Sequence, residues 1–157
     1  MRYFLLDRVT EFVAGESAAG IKNVTLSNEV LHDHFPDLPV FPGALVVEAM
    51  AQLGGFLLEM SRNRTDYIRR ALLIQIDQAK FHKPAEPGDQ IRLFATIGEQ
   101  MEDAAKINAR AELDGEKMAV ARLTFLMKEI DSNKIHQQRR YVYRLWTRLL
   151  DPRPPIH

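Results

Sequence analysis

The sequence predicts an α+β domain in which a curved antiparallel sheet wraps around one central helix. Two observations carry that prediction. Residues 44–60 (ALVVEAMAQLGGFLLEM) are apolar on nearly every face, with Glu48, Gln52 and Glu59 the only polar side chains. A helix that is hydrophobic all round needs cover on all sides. Around it, strand-like segments separated by turn residues run two before and four after, enough sheet to supply that cover.

The elements follow in order. Residues 8–27 alternate loosely between polar and apolar, with Val, Ile and Thr common, and read as two strands joined near Ala14-Gly15-Glu16. The stretch Asn28 to Gly43 is rich in Pro, His and acidic residues and reads as an ordered loop, with one helical turn near Glu29–Leu31. After the helix, residues 61–70 (SRNRTDYIRR) form a basic, polar connection. The next strands are ALLIQIDQAKFH, DQIRLFATIGEQ, AAKINARAELD and EKMAVARLTFLMKEI. Glu86-Pro87-Gly88-Asp89 and Asp114-Gly115 lie between them, and Asp-Gly is a strong hairpin signal. From Asn133 onward, Ile135, Val142, Leu145, Trp146 and Leu149 recur at helical spacing among arginines, and Asp151-Pro152 stops the run. The expected organisation is one domain over 1–132, then an amphipathic basic helix and Pro-rich end over 133–157.

Composition narrows the function classes. Lys plus Arg and Asp plus Glu both number 21, so no net field draws the molecule to nucleic acid or membrane. Cysteine is absent, which removes disulfides, thiolate catalysis and cysteine–metal sites. The opening MRYFLLDRVTEF has a short apolar run broken by Asp7 and Arg8, unsuited to a signal-peptide core or membrane span. A cytoplasmic address is the expectation.

The chemistry concentrates in HFPDLPVFPG (34–43) and the helix it enters. Prolines fix this backbone and limit how far His34 can wander. Gly43 permits close approach where the helix begins, and its amide belongs to the first-turn donors that lack an intrahelical partner. Such an amide, at the positive end of the helix dipole, suits a developing oxyanion. Glu48 lies about one turn into an apolar helix, where burial should raise its pKa until it carries a proton at neutral pH. Gln52 lies one turn further on the same face and can hydrogen-bond that carboxyl group. A titratable base, a proton-bearing acid and an oxyanion donor together suit proton removal beside a carbonyl, then loss of a hydroxyl.

The run HFPDLPVFPGALVVEAMAQ resembles the signature of the 3-hydroxyacyl-acyl-carrier-protein dehydratases, which have the hot-dog fold. The resemblance extends through FLLDRVTEF, GIKNVTLSNE, IDQAKFHKPAEPGDQIRL and ARAELDGEKMAVARLTF, covering roughly residues 3–128. It implies conversion of a (3R)-hydroxyacyl thioester on acyl carrier protein to the trans-2-enoyl thioester and water. It assigns His34 the C2 proton, Glu48 the departing C3 hydroxyl and Gly43 the thioester carbonyl, and implies no metal or organic cofactor. The site would form across a homodimer, or within a trimer of dimers, His34 of one chain meeting Glu48 of the other. Two positions depart from the pattern, which has glycine just before the histidine and three residues after it; here they are Asp33 and Asp37. Asp37 suits a left-handed backbone better than most residues. Asp33 places a negative charge beside His34 that would raise its pKa, orient the imidazole or distort the loop.

Other features have competing readings. His32-Asp33-His34 with His82 lacks the spacing a zinc site demands. Leu53 and Phe81 are candidates for an acyl tunnel, with core packing the alternative. Arg62, Arg64, Arg69, Arg70, Lys80 and Lys83 could attract an acidic carrier protein or simply be solvated. The basic tail could pack on its own domain, dock a carrier protein or lie on an anionic membrane, and Trp146 favours packing. Two rival functions remain: a hot-dog thioesterase using Glu48 to activate water, and a non-catalytic acyl-carrier-binding subunit.

Overall fold

In the computed structural model, which describes residues 3–157, the apolar segment forms helix α1 (Gly43–Arg62). Val46, Met50, Leu53, Phe56, Leu57 and Leu58 are almost completely buried, as the sequence pattern requires. Their cover is a six-stranded antiparallel sheet made of β1 (Arg8–Val13), β2 (Ser17–Asn23), β3 (Arg70–Phe81), β4 (Gln90–Gln100), β5 (Ala104–Leu113) and β6 (Glu116–Lys128). The spatial order is β1-β2-β4-β5-β6-β3, so the chain reaches the far edge through α1, crosses back to β4 beside β2, and fills the gap by the β4–β5 and β5–β6 hairpins. α1 is long and apolar enough to cross a membrane, but most of it is buried within the fold.

The inward faces of β4, β5 and β6 alternate as a half-buried sheet should. Ile91, Leu93 and Ala95 on β4, and Ala105, Ile107, Ala109 and Ala111 on β5, meet the helix. Alternating alanines keep that face shallow, which lets a bulky helix lie close. The β5–β6 turn places Asp114 at φ 51° and Gly115 at φ 79°, the paired positive angles of a two-residue hairpin matched to strand twist. β3 is different. It occupies an edge, and Leu72, Leu73, Ile74 and Ile76 on it are exposed.

Helix α2 (Asn133–Trp146) closes one end of the domain. Ser132 caps it, its hydroxyl accepting from the Ile135 amide. Val142, Tyr143 and Trp146 are buried in the same core as α1. The Phe56 ring meets Tyr143 edge-on at 5.0 Å, Trp146 at 6.2 Å and Phe12 of β1 at 5.7 Å. Trp146 thus finds its cover within its own chain.

At this junction α1 carries a fully buried carboxylate, Glu59, 1% exposed. One oxygen accepts from Arg70 Nε and the Ala71 amide, each at 2.9 Å, and the other from the Tyr143 hydroxyl at 3.0 Å. Arg139 of α2 approaches to 3.6 Å. Burial pushes the Glu59 carboxyl up, against the downward pull of Arg70, the Ala71 amide, Arg139 and the Tyr143 hydroxyl. Burial likewise pushes the Tyr143 hydroxyl well above its ordinary range.

Removing one member of a buried charge cluster leaves its partner uncompensated, at a cost of about 3–5 kcal/mol. Arg139→Met should therefore lower unfolding free energy by roughly that amount in urea titrations followed by Trp146 fluorescence. The raised folded pKa of Glu59 has a definite sign: its contribution is present below the unfolded value and lost as pH rises through the folded one. Stability should fall as pH climbs out of the ordinary carboxylate range, and Glu59→Gln should flatten that part of the profile.

Candidate active site

A short 3-10 turn (Glu29–His32) delivers the chain to His34. Three backbone hydrogen bonds shape the loop that follows: Phe35 and Leu38 exchange a pair, and the Val40 amide donates to the His34 carbonyl at 2.9 Å. Asp37 takes the left-handed conformation, φ 64°, at the position where the resemblance leads one to expect glycine. The loop tip is apolar and open to solvent, Phe35 being 52% and Leu38 58% exposed.

This loop fixes the imidazole as well as its backbone. His34 Nδ1 lies 2.7 Å from the Val40 carbonyl oxygen. A carbonyl only accepts, so Nδ1 carries the hydrogen, and in the neutral imidazole the lone pair is then on Nε2. The Phe35 ring stacks against the imidazole at 4.1 Å. Asp33 is exposed and no hydrogen bond links it to His34, so the Val40 carbonyl performs the orientation that Asp33 was a candidate for. His32 is exposed, and no group of three or more potential metal ligands occurs among the described residues.

Gly43 is the first residue of α1, behind Pro42. The Phe81 ring covers it so closely that a Cβ on Gly43 would stand 2.9 Å from Phe81 Cε1. Phe81 is half exposed and stands beside the helix start. Leu53 is fully buried with its side chain towards Gly20 of β2, on the core side of α1.

Glu48 is half-buried, less enclosed than the sequence suggests, because the flank of α1 that carries it is open in the single chain. Gln52 Nε2 donates to Glu48 Oε1 at 3.0 Å, the pairing expected one turn apart. The same amide group donates to the Tyr3 carbonyl at 3.0 Å, and its oxygen accepts from the Leu5 amide at 2.9 Å. Gln52 therefore ties the N-terminal segment to the carboxyl group, a task the sequence did not reveal. A cavity of about 750 Å³ opens beside Glu48 and Gln52; His34, Gly43 and Phe81 do not line it. One chain thus presents two half-sites, an imidazole with a helix-start amide and a carboxyl group with a cavity.

Most of the basic residues considered for carrier binding are engaged within the chain. Arg62 donates to Gln100 Oε1 and the Met101 carbonyl, and Arg64 to the carbonyls of Ser61 and Asn63. Arg69 pairs with Asp103, Arg70 with Glu59 and Lys83 with Glu116. Arg64 finds its carbonyls nearby, but the partners of Arg62, Arg69, Arg70 and Lys83 lie well away in the sequence, where local charge patterning does not display them.

Comparison with known proteins adds family evidence. The FabA-like domain family matches residues 1–122. The 3-hydroxyacyl-[acyl-carrier-protein] dehydratase FabZ of Bacillus licheniformis is 41% identical over 127 residues, 81% of this chain and 87% of its own. That of Thiobacillus denitrificans is 38% identical over 128 residues, 81% of this chain and 88% of its own. Among solved structures, smu.793 from Streptococcus mutans bound to acetyl CoA superposes with TM-score 0.65 at 14% identity, covering 84% of this chain and 96% of the other. Thioesterase HI1161 from Haemophilus influenzae gives 0.62 at 13%, covering 80% of each. At those identities the structures speak to the hot-dog fold alone.

Gln52→Leu should leave the Leu5 amide and the Tyr3 carbonyl without partners, costing about 1–3 kcal/mol in denaturant unfolding. Hydrogen exchange at the Leu5 amide should speed up in parallel.

Proposed function

Since the chain belongs to the FabA-like domain family, we infer that it dehydrates 3-hydroxyacyl thioesters carried on acyl carrier protein, in fatty acid biosynthesis. The observation that carries the mechanism is the His34 tautomer. With Nδ1–H held by the Val40 carbonyl, Nε2 is free to take a proton from C2 of the substrate. The Gly43 amide, at the positive end of α1, polarises the thioester carbonyl and steadies the charge that develops there. Gln52 occupies Glu48 Oε1, which leaves Oε2 to deliver a proton to the C3 hydroxyl. The C2–H bond breaks, the C2–C3 double bond forms and the C3 oxygen leaves as water. His34 ends protonated and Glu48 ionised, and proton return between them resets the pair.

The half-sites meet in a homodimer. An edge strand as long and apolar as β3 invites pairing, and pairing with β3 of a second copy would extend the sheet across both chains. The open flank of α1 and the exposed Phe35 and Leu38 would be covered in the same step. His34 of one copy would then face Glu48 of the other, and the carboxyl group would gain the enclosure it lacks alone. Phe81 stands by the helix start as a wall of the substrate entrance, while Leu53 belongs to the core. A cytoplasmic address accompanies this reading.

His34→Ala and Glu48→Gln should each lower turnover of a 3-hydroxyacyl thioester by about 100-fold or more, with circular dichroism unchanged. The product to be assayed is the enoyl thioester; release of free thiol would instead mean hydrolysis. Mixing the two inactive variants after denaturation and refolding should restore about a quarter of wild-type activity, because half the dimers are mixed and each holds one intact site. No recovery on mixing would show that both groups act from one chain.

A further inference from the structure

The cavity beside Glu48 continues along α1 well past the chemistry. Glu48, Gln52, Gly55 and Glu59 all line it, and their spacing of four, three and four residues places them on one helix face. At ~1.5 Å per residue the helix rises about 16 Å from Glu48 to Glu59. An extended hydrocarbon built from bonds of ~1.5 Å needs roughly a dozen carbons to cover that distance. The far half of the cavity is walled by α2 through Ile135, Gln138, Val142 and Trp146. The region matched by the FabA-like family ends at residue 122, so this wall lies beyond it.

The structure assigns α2 a second role beyond packing: it is the element that sets which acyl chain lengths the enzyme accepts. The assignment rests on the proposed dehydratase reading, with C3 of the substrate at Glu48 and the rest of the acyl chain running on from there. A short acyl chain occupies only the stretch bordered by Gln52 and Gly55. A long one reaches Ile135, Gln138 and Val142, and there its methylenes are either accommodated or refused. The wall is held in place by firm contacts, since Tyr143 donates to the buried Glu59 and stacks with Trp146 at 5.5 Å. A wall so anchored gives a defined length limit rather than a yielding one. The cavity lining is mainly apolar along this path, with Ala51, Gly55, Phe56 and Phe125 between the two ends.

Ile135 and Gln138 are exposed on the rest of their surface, so larger side chains fit there without disturbing the core. Ile135→Trp and Gln138→Trp should leave kcat/KM for a four-carbon 3-hydroxyacyl-pantetheine within about twofold of wild type. For the twelve-carbon substrate they should lower it by about tenfold or more. Binding of the corresponding saturated acyl-pantetheines, which cannot be dehydrated, should show the same dependence on length. Equal losses at both lengths, or none at either, would overturn the assignment. If the wild type dehydrates nothing yet the binding difference persists, the length gauge stands and the dehydratase reading falls.

Discussion

The structure depends on one constraint: a helix without a polar face has to be enclosed. Water would hydrate its leucines, methionines and phenylalanine at a large free-energy cost, so the sheet curls until β2 to β6 surround it. Every other arrangement is subordinate to that enclosure. It sends the chain from β2 to the far edge before β3 begins, and it makes the inward faces of β5 and β6 alanine-rich. The enclosure is incomplete along one flank, and there the helix carries Glu48, Gln52 and Glu59. Polar groups are tolerated on α1 only where the sheet does not reach, or where dedicated partners await them.

The two carboxylates show how differently the same residue type can be used. Glu48 has a single side-chain partner and an open cavity beside it. Glu59 is saturated by Arg70, Ala71 and Tyr143, with Arg139 close by. One keeps an oxygen without a protein partner beside the cavity; the other binds the helix, the start of β3 and α2 into one unit. Their neighbours make the distinction, and their common setting in an apolar helix does not.

That contrast also marks what could be read from the sequence. Period and turn chemistry are local, so the helix, all six strands and the Asp114-Gly115 hairpin were legible, while the left-handed Asp37 was suggested only by the resemblance, which has glycine there. So was the Glu48–Gln52 pairing, which needs only helical spacing. Pairings between distant segments were not. Nothing near Glu59 announces Tyr143, and nothing near Arg62, Arg69 or Lys83 announces Gln100, Asp103 or Glu116. The sides of an all-apolar helix are equally hard to tell apart, and for that reason Leu53 was a tunnel candidate when it faces β2 while Gly55 lines the cavity. His34 was legible as a residue, but its orienting partner is a backbone carbonyl, which no side-chain pattern encodes.

Asp37 has a thermal consequence. Glycine would enter its left-handed conformation freely, yet would also bring more disorder to the unfolded loop, which folding must then remove. Aspartate exchanges those terms: it resists the conformation by roughly 1 kcal/mol and leaves the loop with fewer alternatives to wander among. The order of the segment that aims the imidazole accordingly leans less on backbone entropy, and warming should loosen it less than it would a glycine-bearing loop of the same shape.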